Sequence, residues 1–157
     1  MPDRWATFDC YGTLIDWNAG IRRVLVDVFG EERADEQLER YHDIEPTLEV
    51  DGLLSYREVM TEAMRELGAS EEDAPSLAES LPSWRPFPEV RSALAETRDR
   101  GWKVAILSNT DRDFIEASML EIGVQFELAI VASEIHSYKP RHTHWLRFFE
   151  ETHAPRE

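Results

Sequence analysis

The stretch Trp5-Ala6-Thr7-Phe8-Asp9-Cys10-Tyr11-Gly12-Thr13 begins as an apolar run and breaks into a polar, glycine-containing loop. A run of this kind predicts a buried strand ending in a tight turn, which places Asp9 at the strand's carboxyl end. The pattern returns twice, as Val104-Ala105-Ile106-Leu107 leading into Ser108-Asn109-Thr110, and as Leu128-Ala129-Ile130-Val131 leading toward Ser137-Tyr138-Lys139-Pro140. Helical segments are expected between the runs, over 88–100 before Gly101 and 111–122 before Gly123. Continuously apolar strands that alternate with helices predict an α/β fold, a parallel sheet covered on both faces whose ligands bind at the carboxyl ends of its strands. Asp9, Ser108 and Lys139 all fall at that end or just beyond it.

From Asp16 to about Ser83 the period is helical throughout. Ile21, Leu25, Val28 and Phe29 share one face of a first helix. A second helix is expected over 34–47, a third over 55–67 before Gly68, and a fourth from near Ser70, with Glu72 and Asp73 in its first turn. Four helices and no strand suggest a small bundle inserted after the first strand. The segment Pro82-Ser83-Trp84-Arg85-Pro86-Phe87-Pro88 holds three prolines in seven residues and is expected to be an extended linker. The domain reading is a core made of residues 1–15 and 86–157, with a helical insert over 16–85.

Composition narrows the function classes. With 42% hydrophobic and 31% charged residues, the chain has enough apolar surface to fold by burial rather than stay disordered. A formal net charge of -15 and no basic block argue against a nucleic-acid partner, because phosphate binding needs clustered Lys and Arg. The single cysteine, Cys10, has no internal disulfide partner. With no apolar run resembling a signal peptide or a membrane span, the chain is expected in the cytoplasm with no membrane partner. Cys10 is read as a packing residue, since no histidine or second cysteine adjoins it to activate the thiol.

An aspartate at a strand end is commonly a turn or capping residue. The loop that follows changes the reading here. Gly12 and Thr13 can turn backbone amides and a hydroxyl toward one carboxylate oxygen, holding the other in line as a nucleophile. Phe8-Asp9-Cys10-Tyr11-Gly12-Thr13-Leu14 resembles the first motif of the haloacid dehalogenase superfamily. Ser108-Asn109-Thr110 resembles its second motif, and Ser137-Tyr138-Lys139-Pro140 its third, in the family's order. The resemblance implies a Rossmann-like core with a helical cap, and the 16–85 insert resembles that cap.

The resemblance also implies roles. Asp9 would be the covalent nucleophile and Lys139 its positive partner. Thr13 and Ser108 would hydrogen-bond the Asp9 carboxylate, while Tyr11 and Asn109 would lie on the substrate side, Asn109 and nearby backbone amides holding the substrate's carboxylate. Ordinary capping of the next helix remains open for Ser108 and Asn109. Phosphatases of the superfamily carry a second aspartate two positions after the nucleophile, where this chain has Tyr11. A phenol with a pKa near ~10 is a poor proton shuttle at neutral pH, whereas a departing halide needs no proton. The motif therefore resembles that of 2-haloacid dehalogenases, which implies a small-molecule substrate and no metal or other cofactor. Two alternatives stay open: a magnesium-dependent small-molecule phosphatase using an aspartyl-phosphate, and an inactive fragment or interaction module.

Other features depart from the family pattern. Dehalogenases use a cap arginine near the halide, and Arg40 stands at a comparable distance from Asp9, but Leu38-Glu39-Arg40-Tyr41-His42 does not match its surroundings. His42, Glu45 and Trp84 are further candidates for the cleft, against the plainer reading of packing or surface residues. The acidic fourth motif is not found. After a helix over about 143–152 the α/β pattern asks for another strand, so the C-terminal strands are expected to be missing. The expectation is a truncated hydrolase, weakly active or inactive, incompletely folded, or a homodimer across the open sheet edge.

Overall fold

The computed structural model describes residues 3–155; positions 1–2 and 156–157 of the expected core lie outside them. Three strands, β1 (Arg4–Phe8), β2 (Trp102–Ser108) and β3 (Leu128–Val131), form one parallel sheet in the order β1-β2-β3. Arg4 stands beside Trp102 and Phe8 beside Ile106, while Ala105 stands beside Leu128 and Ser108 beside Val131. Every residue of β2 from Val104 to Ser108 is buried, as a central strand covered on both faces requires. Its side chains divide by alternation: Ala105 and Leu107 join Ile130 and Phe148 on one face, and Ile106 joins the larger core on the other. The helices after β1 and β2 return the chain to the next parallel strand, so all three strand ends open on the same side. That common opening is what lets residues 130 positions apart meet.

The stretch after β1 is helical. α1 (Trp17–Phe29) starts where the Asp16 side chain accepts from the Ala19 amide at 3.1 Å. It buries Gly20, Ile21, Val24 and Leu25, then ends at Gly30, whose φ of 87° only glycine adopts freely. α2 (Glu31–Glu49) is longer than the expected 34–47 and carries Pro46 inside, so the His42 carbonyl lacks its usual amide donor. α3 (Tyr56–Glu66) opens on a capping box: Glu58 N donates to Ser55 Oγ, and Ser55 N donates to the Glu58 carboxylate.

The fourth helix does not begin near Ser70. Asp73 and Ala74 both donate their amides to the Ser70 carbonyl, making a turn, and α4 (Ser76–Ser80) starts only after Pro75. A proline disfavours helical backbone in the residue before it, which breaks a helix run through Ala74. The proline-rich segment also differs from an extended linker in its first part, where Leu81–Ser83 form a 3-10 turn. From Trp84 it is extended, and it pairs with the outgoing chain: Asp16 N donates to Arg85 O and Phe87 N to Leu14 O, with Ile15 bridged to Pro86. The ends of the helical layer thus lie side by side where they join the sheet.

α5 (Val90–Asp99) precedes β2, α6 (Arg112–Ile122) ends at Gly123 in the left-handed region, a short α7 (Ala132–Ile135) follows β3, and α8 (Thr143–Thr152) covers the second face through Phe148. One continuous core runs from the sheet into the helical layer. Asp111 fastens the two: its carboxylate accepts the Tyr56 and Arg57 amides at 2.8 and 2.9 Å, capping α3 from the loop after β2. The sequence suggested the start of α6 instead, and Asp111 is its N-cap residue, but its side chain makes no bond to α6.

Candidate active site

Asp9 follows the last residue of β1 and Lys139 follows β3 through α7, so parallel pairing with β2 brings both to the same sheet end. Lys139 Nζ lies 2.6 Å from Asp9 Oδ1 and donates also to the Leu107 carbonyl at 2.7 Å. Thr13 Oγ1 donates to Asp9 Oδ2 at 3.1 Å. Each carboxylate oxygen therefore has one donor, and the rotation of the carboxylate is fixed from both sides. The loop between is tight: Thr13, Leu14 and Ile15 all direct amides to the Cys10 carbonyl, with Gly12 at φ 86°. The Lys139 loop is fixed in turn by Asn109, whose Oδ1 accepts the Lys139 amide at 2.6 Å and whose Nδ2 donates to the Lys139 carbonyl at 3.1 Å.

A cavity of about 420 Å³ opens above Asp9 and Lys139, with Tyr11, Ser108 and Asn109 in its wall. All six residues singled out from the motifs therefore meet at one place, but two of them make different bonds from those expected. Ser108 Oγ is buried with no partner among the described residues, rather than bonded to Asp9. Asn109 spends its amide on the Lys139 backbone. Tyr11 turns its hydroxyl away toward Ser118 Oγ, at 2.9 Å, and its ring packs between Tyr56 and Trp84. Burial, with Cys10 adding to it, pushes the Tyr11 phenol well above its usual pKa, so it stays protonated. Cys10 is fully buried, and burial beside Asp9 pushes its thiol up as well, which removes the reactive thiolate.

The helical layer supplies the far wall, and here sequence reasoning was least complete. Of its four candidates only Glu45 lines the cavity. Trp84 is buried in the core at 1% exposure. His42 stacks on Trp17 and bonds Asn18 Oδ1, and Arg40 donates to Gln37 Oε1 and the Glu66 carbonyl. Trp17, Glu49, Tyr56 and Trp145 line the cavity and were not foreseen. Glu49 had one available signal: it lies four residues after Glu45, so the two share a helix face.

Glu45 Oε1 accepts two phenols, Tyr41 at 3.0 Å and Tyr56 at 2.7 Å, with Trp17 Nε1 donating to the Tyr56 oxygen. Glu49 meets Asn109 Nδ2 at a long 3.4 Å. Burial raises Glu45 to about 7, the two phenol hydrogen bonds acting against it. Burial, and then the charge of Glu45, raises Glu49 to about 8. The Asp9, Lys139, Glu45 and Glu49 side chains thus give the cavity more acidic than basic groups. Among the described residues no group of three or more His, Cys, Asp and Glu is arranged to hold a metal ion. Nor is any described helix long and apolar enough to cross a membrane.

Comparison with known proteins gives a consistent picture. Residues 4–157 match a family model described as haloacid dehalogenase-like hydrolase. Haloacetate dehalogenase H-2 of Moraxella sp. (strain B) is 40% identical over 76 residues, which are 47% of this chain and 34% of that protein. The matched stretch thus spans about a third of the relative. Among solved structures, the L-2-haloacid dehalogenase of Xanthobacter autotrophicus superposes with a TM-score of 0.84 at 20% identity, over 100% of this chain and 67% of that one. A structure of the same enzyme with chloropropionic acid covalently bound gives 0.82 at 20%, over 99% and 66%. The L-2-haloacid dehalogenase RSc1362 gives 0.86 at 17%, over 99% and 75%. At these identities the structural matches establish the shared fold.

Proposed function

The chain belongs to the haloacid dehalogenase-like hydrolases, and from that membership we propose that it hydrolyses the carbon–halogen bond of a short 2-haloacid through an ester on Asp9. One observation carries the choice of leaving group: the hydroxyl of Tyr11 points to Ser118, so the residue two positions after Asp9 offers the site no proton. An alkoxide leaving a phosphate ester needs that proton; a halide does not.

In the first step an Asp9 oxygen attacks the halogen-bearing carbon from behind. The new C–O bond forms as the carbon–halogen bond breaks, and the halide leaves with the bonding pair. Lys139 pairs with one carboxylate oxygen and keeps it aimed, and Thr13 fixes its rotation from the other. In the second step water adds to the Asp9 carbonyl carbon and the bond from that carbon to the ester oxygen breaks. The Asp9 carboxylate returns, and the products are a 2-hydroxyacid, a halide and one proton. Helices α1 to α4 act as the cap of this site, the expected 16–85 insert. The covalently bound chloropropionic acid in the Xanthobacter enzyme supports an ester intermediate, and the haloacetate dehalogenase relative supports a small haloacid.

Halide release from a panel of 2-chloro-, 2-bromo- and 2-fluoroacids is the test. The wild-type chain is expected to free halide and Asp9→Asn to free none. In labelled water a single turnover should place the label in Asp9 before product. Release that is equal in both proteins, or absent in both, refutes the proposal. The phosphatase reading would need a proton donor two positions after Asp9, and Tyr11, with its hydroxyl on Ser118, does not offer one.

A further inference from the structure

The cavity poses an electrostatic problem for a carboxylate substrate. Lys139, the one cation lining it among the described residues, already engages Asp9 Oδ1 and the Leu107 carbonyl. Asn109, the expected carboxylate holder, has its amide group engaged by the Lys139 backbone. The opposite wall presents two more acids, Glu45 and Glu49, one helical turn apart on α2. A haloacid anion entering between two ionised glutamates and Asp9 would be repelled from most directions.

The two glutamates are not equivalent. Glu45 has two phenolic donors aimed at one oxygen, and these oppose the rise that burial imposes on it. Glu49 has only the long contact to Asn109 Nδ2, and beside it stand Glu45 on its own helix, Lys139 and Asn109 from the sheet end, and the phenols of Tyr56 and Tyr138. With one cation for three carboxyl groups, a proton retained at Glu49 is the cheapest way to limit repulsion. On the reading that the substrate is a 2-haloacid, we propose that Glu49 is a substrate-binding acid that remains protonated and donates its O–H to the substrate's carboxylate, supplying a contact for which the described residues of the cavity leave no free cation. The proton stays on Glu49 throughout, so the chemistry at Asp9 is unchanged. Burial in the cavity and the neighbouring Glu45 both hold Glu49 in this form at neutral pH.

The test is equilibrium binding of propanoate, an unreactive carboxylate of the right size, followed by calorimetry from pH 6 to 9.5. In the wild type the dissociation constant is expected to rise about tenfold per pH unit once Glu49 ionises. Glu49→Gln, which keeps a donor at every pH, should bind with little dependence on pH, while Glu49→Ala should bind weakly throughout. Glu45→Gln, by removing a like charge, should move the wild-type transition to lower pH without abolishing it. A wild-type constant that does not change with pH, or a dependence that survives in Glu49→Gln, overturns the proposal. So does propylammonium binding that tightens as pH rises, which would mean an ionised pair taking a cation. Because binding is read without turnover, pH-linked propanoate binding with no halide release sinks the dehalogenase reading alone. Halide release with pH-independent binding sinks the Glu49 role alone, and no binding by the wild type at any pH also counts against that role.

Discussion

Gly20→Ala sets two well-characterised effects against each other. In the middle of a helix alanine is favoured over glycine by about 0.8–1.0 kcal/mol, so helix propensity alone predicts a gain. Gly20, however, lies on the buried face of α1, where an added Cβ would stand 2.4 Å from Trp84 Cδ2 and 2.6 Å from its Cε2 and Cγ. Ordinary carbon–carbon contact is about 3.5–4.0 Å, so the indole would have to retreat by about 1 Å or more. It has little room: Trp84 is 1% exposed, its Nε1 donates to Ser80 Oγ at 2.9 Å, and its ring meets Tyr11 edge-on. Overpacking of this kind costs typically about 1–3 kcal/mol, and a rigid bicyclic ring belongs at the upper end. The net expectation is a destabilisation of about 1–2 kcal/mol, read as a lower urea midpoint followed by far-UV circular dichroism. In the double variant Gly20→Ala/Trp84→Leu the loss should be smaller than the sum of the two single losses, because the smaller side chain leaves space for the methyl. A Gly20→Ala protein as stable as the wild type would refute the packing argument.

Asp111→Ala removes the cap on α3 and leaves the Tyr56 and Arg57 amides without their carboxylate; a loss of about 2–4 kcal/mol is expected by urea unfolding, from two charge-assisted hydrogen bonds at about 1.5–3 kcal/mol each less the usual overlap between neighbours. Thr13→Ala should lower kcat for halide release by roughly a hundred- to thousandfold, the usual effect of losing one positioning hydrogen bond in a preorganised site, while Lys139→Ala should abolish it. Stability should also carry the mark of Glu49. Its folded pKa, about 8, lies above its unfolded value of 4.5, so its contribution is full below pH 4.5 and is lost as pH rises toward 8. Glu49→Gln should therefore gain stability relative to wild type between pH 6 and pH 9, in paired urea titrations, and a constant difference across that range would contradict the shift. His144 has the opposite sign: burial lowers its pKa, so its contribution is present above the usual histidine value and is lost as pH falls through the depressed one, and His144→Gln should flatten the acid limb of the stability profile.

The sheet and the strand end that carries Asp9 and Lys139 were legible because both follow from short-range rules. Apolar runs ending in polar loops predicted three strands, and parallel order then forced Asp9 and Lys139 together. The far wall was hidden because α2 carries acids on both sides of its apolar stripe. Ala34, Leu38, Tyr41, Ile44 and Leu48 mark the face toward the core, but among Glu31, Glu32, Glu36, Glu39, Glu45 and Glu49 that periodicity does not say which two reach the cavity. Arg40 stood at a plausible distance along the chain but in surroundings that do not match, and His42 was only a candidate for the cleft; a helix turns about 100° per residue, and that rotation points them at Gln37 and Trp17 instead of Asp9. Asp111 read only as the first residue of a helix, because the partners of its side chain stand 54 and 55 residues away, beyond any local pattern. Pro75, by contrast, was a visible signal against a helix beginning at Ser70.

The sheet register has a consequence for synthesis on the ribosome. β1 emerges first, yet its partner strand β2 begins at Trp102, so residues 9–101 must be made before the ladder from Arg4 to Phe8 can close. At about 5–20 residues per second that interval is on the order of 5–20 s, during which the Trp5 and Phe8 side chains belong to no sheet. The helices of the intervening segment contain mostly local contacts and can form while the nascent strand waits. A chaperone that shields short apolar segments would find a target in β1 well before Lys139, which later pairs with Asp9, has been translated.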